Sequence, residues 1–373
     1  MLFFNSLPSP RHSQSPTEDM STDIADHAVS ASRSSEGRRS QAPVARSRGL
    51  HRHAEPISAL WGVSPIAPIH FGFDRTLRLL KQLADRGWRL SIVIADYHSV
   101  LSHGLQWPDV SNRSQYYQAY LRHCCGLNSD ILLGSQFQAD PVYFEMLLRA
   151  SNQTSLASVK NSLPSLPSRR AQGSWPDLGA AIYQVMQCVD AAYFGVNAIV
   201  ADAGQRKTYQ LMENFRGFSA ISHHAWRRGP RGAGFVKQPK PLWVPTGIDL
   251  RSNALRESTS ATRISIHETR ESLDEKIQRM YAPPASQPDA TNKINALLWH
   301  FENSVFPWRS EPIIVESGGR RNEYCRFEDF RAGYEAGKLH PMDCKHVLAD
   351  ALWLRIGSVQ RVLAKVLVDW IRQ

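Results

Sequence analysis

The stretch Asp74-Arg-Thr-Leu77-Arg-Leu-Leu80-Lys-Gln-Leu83-Ala-Asp-Arg-Gly87, followed at once by Leu90-Ser-Ile-Val-Ile-Ala95 and Asp96, decides the fold class. Leucines recur every three residues, as on one face of a helix, and the glycine ends the run. The next segment is apolar on both alternating faces, which marks a strand buried on two sides. Ile131-Leu-Leu133 and Ala198-Ile-Val200 read the same way. Short apolar strands alternating with helices predict an α/β fold with a parallel sheet and ligands at the strand ends.

Outward from this core the composition changes. Residues 1–55 are rich in Ser, Arg, Pro and His and poor in large apolar side chains, so a disordered extension is expected. Glu18, Asp19, Asp23 and Asp26 argue against an organelle transit peptide. Residues 151–177 carry Pro164, Pro167 and many serines, an insertion in an otherwise helical region. From about Asn295 helical spacing returns in Leu297-Leu-Trp299-His-Phe301. A small strand pair is expected next, then a helix over Phe327 to Tyr334, and a last helix from about Cys344 past Leu363. The expected organisation is therefore an extension (1–55), a sheet domain (56–290) and a mainly helical domain (291–373).

Lysine plus arginine number 44 against 34 acids, a net charge of +10, which favours a polyanionic partner such as RNA. The five cysteines are odd in number and none is paired at metal-ligand spacing. A reducing, cytoplasmic setting and no metal site follow as expectations. No apolar run is long enough to span a bilayer, so no membrane association is expected.

Tyr183-Gln-Val-Met-Gln187-Cys-Val-Asp190, with Tyr193 and Gln205 soon after, sets polar groups in an apolar stretch. Such groups are costly to bury without partners. Either they satisfy one another inside the protein, or they line a pocket for a polar small molecule.

This segment resembles the amino-acid-binding helix of archaeal and eukaryotic-type tyrosyl-tRNA synthetases, a class I family. The resemblance extends in order through Pro65-Ile-Ala-Pro-Ile-His70-Phe-Gly72-Phe73, Ala95-Asp96-Tyr-His98, Gly134-Ser-Gln-Phe137-Gln138, Thr246-Gly247-Ile-Asp249 and Leu339-His340-Pro341-Met342-Asp343. It covers roughly residues 57 to 365 and implies a Rossmann-type catalytic domain with a helical anticodon-binding domain. By the same resemblance Asp190 would accept a hydrogen bond from a substrate phenol. Tyr183, Gln187 and Gln205 would surround the ammonium group, and Gln138 and His98 would line the pocket. Leu60 stands where the family has a second phenol partner, a tyrosine.

For ATP, accompanied by Mg2+, the resemblance implies contacts at Gly62, His70, Gly72, Asp202, Gly247 and Asp249. His70 and Gly72 keep the first half of the His-x-Gly-His signature, and Phe73 replaces its second histidine. The lysine-rich signature loop is represented by Arg256, Ser258 and Ser260. Arg227-Arg228-Gly-Pro-Arg231-Gly-Ala-Gly234 is a basic loop that could reach phosphate instead. His340 and Asp343 would meet the tRNA anticodon, although His-Pro-Met-Asp is also a good helix start. The family's dimer interface involves the region where Leu163-Pro-Ser-Leu-Pro167 departs from helical sequence. Three functions fit: a tRNA ligase for tyrosine or a related substituted aromatic amino acid, an adenylating enzyme with another acceptor, and a non-catalytic tRNA- or amino-acid-binding protein.

Overall fold

The computed structural model describes residues 56–127, 129–163, 177–215, 238–244, 250, 262–283 and 295–371. The expected extension, the ATP residues Gly247 and Asp249, the signature-loop residues Arg256, Ser258 and Ser260, and the basic loop at 227–234 lie outside these residues. So do residues 164–176 of the Ser/Pro-rich insertion.

Five strands form one parallel sheet: β1 (Ser58–Val63), β2 (Arg89–Ile94), β3 (Asp130–Leu133), β4 (Ala198–Asp202) and β5 (Lys240–Val244). Their order is β3-β2-β1-β4-β5. The chain thus winds outward from β1 in one direction and then in the other. The strand ends on either side of β1 diverge at that switch, leaving a crevice for ligands.

Between the strands lie α1 (Asp74–Asp85), α2 (Asp96–His103), α3 (Trp107–His123), α4 (Pro141–Gln153), α5 (Leu156–Ser162), α6 (Leu178–Phe194) and α7 (Arg206–Gln210). Beyond β5 come α8 (Arg270–Gln278), α9 (Ala296–His300), the antiparallel pair β6 (Ile313–Ser317) and β7 (Arg320–Tyr324), α10 (Phe327–Glu335) and α11 (Pro341–Ile371).

Alternate strand residues enter opposite cores, as pleating requires. Ala59, Trp61 and Val63 of β1, with Leu90, Ile92 and Ile94 of β2, join the core that contains Leu77, Leu80 and Leu83 of α1. Leu60, Val93 and Ile199 point the other way, into a core with Val185 and Val189 of α6 and Tyr143 of α4. Leu297, Phe301, Phe330, Leu348 and Leu352 from the C-terminal elements belong to the first core. From Glu55 onward the chain is one compact unit.

A buried ion pair crosses that first core. Asp74, the first residue of α1, accepts two hydrogen bonds from the Arg355 guanidinium of α11, at 2.6 and 2.8 Å. Arg355 also donates to the Ser304 carbonyl at 2.9 Å. Its cation lies 4.1 Å from the Trp308 ring centre and 4.7 Å from that of Phe71.

Candidate functional site

A narrow cleft, with a cavity volume of about 20 Å³, opens where the sheet topology predicts one. Leu60, Gly62 and Ser64 from β1 and its end, Val93 and Ala95 at the end of β2, His98 of α2, Tyr183, Gln187 and Asp190 of α6, Gln205 after β4, and Tyr209 of α7 line it. Leu60, His98, the three α6 residues and Gln205, expected to share a pocket from four separate stretches of sequence, therefore meet.

Helix α6 presents Gln184, Gln187 and Asp190 at spacings of three, so all lie on its buried face. Gln184 is satisfied internally, accepting from Thr208 Oγ1 at 2.7 Å and from Ser162 Oγ at 3.4 Å. Gln187 is hydrogen-bonded to Tyr209. Asp190 Oδ1 accepts from Gln138 Nε2 at 2.8 Å and from the Tyr143 hydroxyl at 2.7 Å. Burial pushes the Asp190 carboxyl up to about 7, against the pull of these two donors.

The two motifs that deliver Gln138 and His98 are locked together. Asp96 accepts from the Tyr97 and Ser135 amides at 2.8 and 2.9 Å and from Ser135 Oγ at 2.5 Å. Gly134 makes this approach possible, because a Cβ there would lie 2.6 Å from Gln138 Oε1 and 2.8 Å from Asp96 Oδ1. His98 is buried, its ring edge-on to Tyr183 at 4.7 Å, and burial holds its imidazole down at about 3.

Sequence reading missed Tyr143 and Tyr209. Tyr143 lies on the buried stripe of α4 with Met146 and Ala150. A phenol on such a stripe needs a polar partner, and that need was the available signal. Gln205 is in reach of the cleft, but its Oε1 accepts from the Asp202 amide at 3.1 Å. The Asp202 carboxylate in turn caps the Gly204 amide at 2.7 Å.

A ligand hydroxyl bound by Asp190 gains most when the carboxylate is charged. Below about pH 7 the free protein holds a proton there that such a ligand must compete with. Affinity is therefore expected to be level above that pH and to weaken below it, by up to about tenfold per unit. Calorimetric titrations across this range should show the dependence, and Asp190→Asn should abolish it.

The His70 turn sits beyond the end of β1, outside the cleft lining. His70 Nδ1 accepts from the Gly72 amide at 3.1 Å, which leaves Nε2 to carry the ring proton. Burial and the nearby Arg263 hold the imidazole down at about 3, so it is a neutral donor. A Cβ at Gly72 would come within 2.6 Å of Nδ1, so any side chain there would push the ring away. Phe73 stacks on His70 at 4.3 Å and packs edge-on against Trp61 and Tyr117. The turn is stitched to the segment just past residue 261: Phe71 N–H donates to Ile264 O at 3.0 Å, and Ile266 N–H to Ile69 O at 3.1 Å. Leu250 N–H donates to Thr262 O at 3.4 Å, so both flanks of the signature loop meet beside this turn. Arg263, which no motif indicated, is part of that flank.

At the far end of α11, His340 and Asp343 begin the helix. His340 Nδ1 accepts from the Met342 amide at 3.3 Å, and its own amide donates to Ser317 Oγ at 2.9 Å. The hairpin of β6 and β7, with exposed Arg320 and Arg321, is thereby fastened to the helix start. Among the described residues no cluster of His, Cys, Asp or Glu could hold a metal ion, and no helix is long and apolar enough to cross a membrane.

These features agree with comparisons to known proteins. The family described as tRNA synthetases class I (W and Y) matches residues 52–355. A tyrosine–tRNA ligase of Halorubrum lacusprofundi is 27% identical over 317 residues, covering 82% of this chain and 90% of the relative. One from Archaeoglobus fulgidus is 26% identical over 323 residues, covering 85% and 92%. The crystal structure of tyrosyl-tRNA synthetase complexed with L-tyrosine from Archaeoglobus fulgidus superposes with a TM-score of 0.69 at 24% identity, over 83% of this chain and 91% of that one. The family match spans the whole five-stranded sheet and the C-terminal elements as far as residue 355: the chain belongs to the class I tRNA synthetases of the tryptophan and tyrosine type.

Proposed function

We propose that this chain is a tyrosine–tRNA ligase, activating tyrosine with ATP and transferring it to tRNA. The observation that carries this reading is the cleft in which Asp190, Gln187, Tyr183 and His98 converge at the ends of β1 and β2. The His70 turn stands beyond the same end of β1. The relatives named as tyrosine–tRNA ligases support it.

In this reading Asp190 receives the substrate phenol while Tyr183, Gln187 and Gln205 hold the ammonium end. A buried carboxylate awaiting a hydroxyl rejects the analogue that lacks one, a rule whose standard example is tyrosyl-tRNA synthetase itself. The tyrosine carboxylate then attacks the α-phosphorus of ATP, which is taken as its Mg2+ complex. A carboxylate O–P bond forms, the bond to the β-phosphate bridging oxygen breaks, and pyrophosphate leaves. His70 Nε2–H is suited to donate to a phosphate oxygen as charge builds there. Gly62, Gly72, Asp202, Gly247 and Asp249 border the nucleotide, and Arg256, Ser258 and Ser260 act on the departing pyrophosphate. The tRNA 2′- or 3′-hydroxyl finally displaces AMP.

His340 and Asp343, beside the exposed arginines of the hairpin, would meet the anticodon. Exposed Phe144 and Leu148, one turn apart on α4, form an apolar strip that a second copy would cover in a homodimer. The free cysteines suit a cytoplasmic setting.

Charging of tRNA with radiolabelled tyrosine tests the whole reading. Asp343→Ala is expected to lower charging while leaving tyrosine-dependent pyrophosphate exchange unchanged. Equal loss of both would mean that Asp343 supports the fold rather than the tRNA.

Restoring the departed signature groups tests the phosphate site. Phe73→His with Arg256→Lys and Thr259→Lys is expected to raise the exchange rate at least tenfold, about 1.4 kcal/mol. The Michaelis constant for ATP should change less, since the added groups act in the transition state. An unchanged rate would contradict the role given to this turn and loop.

A further inference from the structure

Two polar atoms in the cleft remain uncommitted, and they face each other. Asp190 Oδ1 is occupied by Gln138 and Tyr143, which leaves Oδ2. His98 Nε2 is buried and has no hydrogen-bond partner. It stands 3.8 Å from Asp190 Oδ2, too far for a direct hydrogen bond. One oxygen about 2.8 Å from each atom would close the gap at roughly a right angle. A hydroxyl there can donate its proton to Oδ2 and accept from Nε2–H. An orphaned buried ring nitrogen is costly, and a ligand that engages it removes that cost.

Leu60 lines the same cleft and offers only an aliphatic wall. The sequence alone leaves the substrate phenol with half of its family clamp. His98 is rigidly held, because Asp96 at the start of its helix is fixed by three hydrogen bonds. Its ring is also braced edge-on by Tyr183.

We propose that His98 is the second hydrogen-bond partner of the substrate's ring hydroxyl, so that Asp190 Oδ2 and His98 Nε2 together select a phenolic amino acid against its deoxy analogue. The inference rests on the reading that an aromatic amino acid occupies this cleft. It assigns to His98 a specificity role that replaces the phenol group missing at Leu60.

The test is calorimetric binding of tyrosine and of phenylalanine to the full chain and to two variants, His98→Phe and His98→Gln. Circular dichroism and thermal unfolding identify the folded variants. His98→Phe should weaken tyrosine at least about tenfold, as for a lost buried hydrogen bond near 1.4 kcal/mol. Phenylalanine should be unaffected or gain, so the ratio of the two affinities collapses. His98→Gln, which keeps an N–H donor, should retain part of the preference. Adding Leu60→Tyr to the folded variant should return tyrosine affinity without helping phenylalanine. Equal weakening of both ligands would overturn the proposal and assign His98 to packing alone; so would no change in either. Failure of the unmodified chain to bind any aromatic amino acid would overturn the reading of the cleft itself, and the proposal with it.

Discussion

Arg355→Ala is expected to cost about 3–5 kcal/mol of folding stability, a large fraction of what holds a domain together. The reason is electrostatic. Asp74 is fully buried and its carboxylate is neutralised by this guanidinium alone among the described hydrogen-bond partners. Burial pushes the Asp74 carboxyl up while Arg355 pulls it back. Removing the cation leaves a charge with no solvent and only the Ser304 side chain to hydrogen-bond it, and it also empties the space over Trp308 and Phe71. Asp74→Ala should do comparable damage by stranding Arg355. The double change Asp74→Leu with Arg355→Met removes both charges and should recover most of the loss, because a buried pair is seldom worth more than well-packed apolar groups. Urea unfolding of the unmodified protein, Asp74→Leu, Arg355→Met and the double variant gives the coupling directly. Additive losses in the double variant would contradict this electrostatic explanation.

His70→Ala is the second large effect, and it should fall on chemistry rather than stability. A single donor aimed at developing charge contributes about 2.7–4 kcal/mol, or 10²–10³ in rate. His70 is in the required form: its Nδ1 is committed to the Gly72 amide and burial keeps the ring neutral. Pyrophosphate exchange should fall by that factor while tyrosine binding, measured by calorimetry, stays constant. The binding cleft is lined by other residues, so the two readouts separate. A parallel fall in tyrosine affinity would place His70 in the amino-acid site instead.

The sheet was legible where strands are buried on both faces. Leu90-Ser-Ile-Val-Ile is one, and β2 is observed over Arg89–Ile94. β5 was not legible. Its sequence Lys-Pro-Leu-Trp-Val is short and contains Pro241, and it lies at the sheet edge, where a proline is tolerated. The polar groups of α6 were legible because they interrupt an apolar run. Their division of labour was not: Gln184 is sealed in an internal network while Asp190 keeps one oxygen toward the cleft, and sequence spacing treats them alike. Tyr143 and Asp190 are 47 positions apart, and Asp74 and Arg355 are 281 apart. Pairings at such separations depend on how the chain packs, which no local pattern encodes. The start of α11 shows the opposite case. His-Pro-Met-Asp has the composition of a helix start, and the helix begins at Pro341 with His340 capping it.

Asp190 and its neighbours are proposed to hold tyrosine for adenylation, and everything else in the functional reading depends on that. Pyrophosphate exchange by the full chain, measured with tyrosine, phenylalanine and tryptophan in turn, tests it most directly. Exchange is expected to depend on tyrosine, to exceed that with phenylalanine by orders of magnitude, and to be lost in Asp190→Ala. Exchange that is equal for the three amino acids, or absent for all of them in a protein that binds ATP, would contradict it.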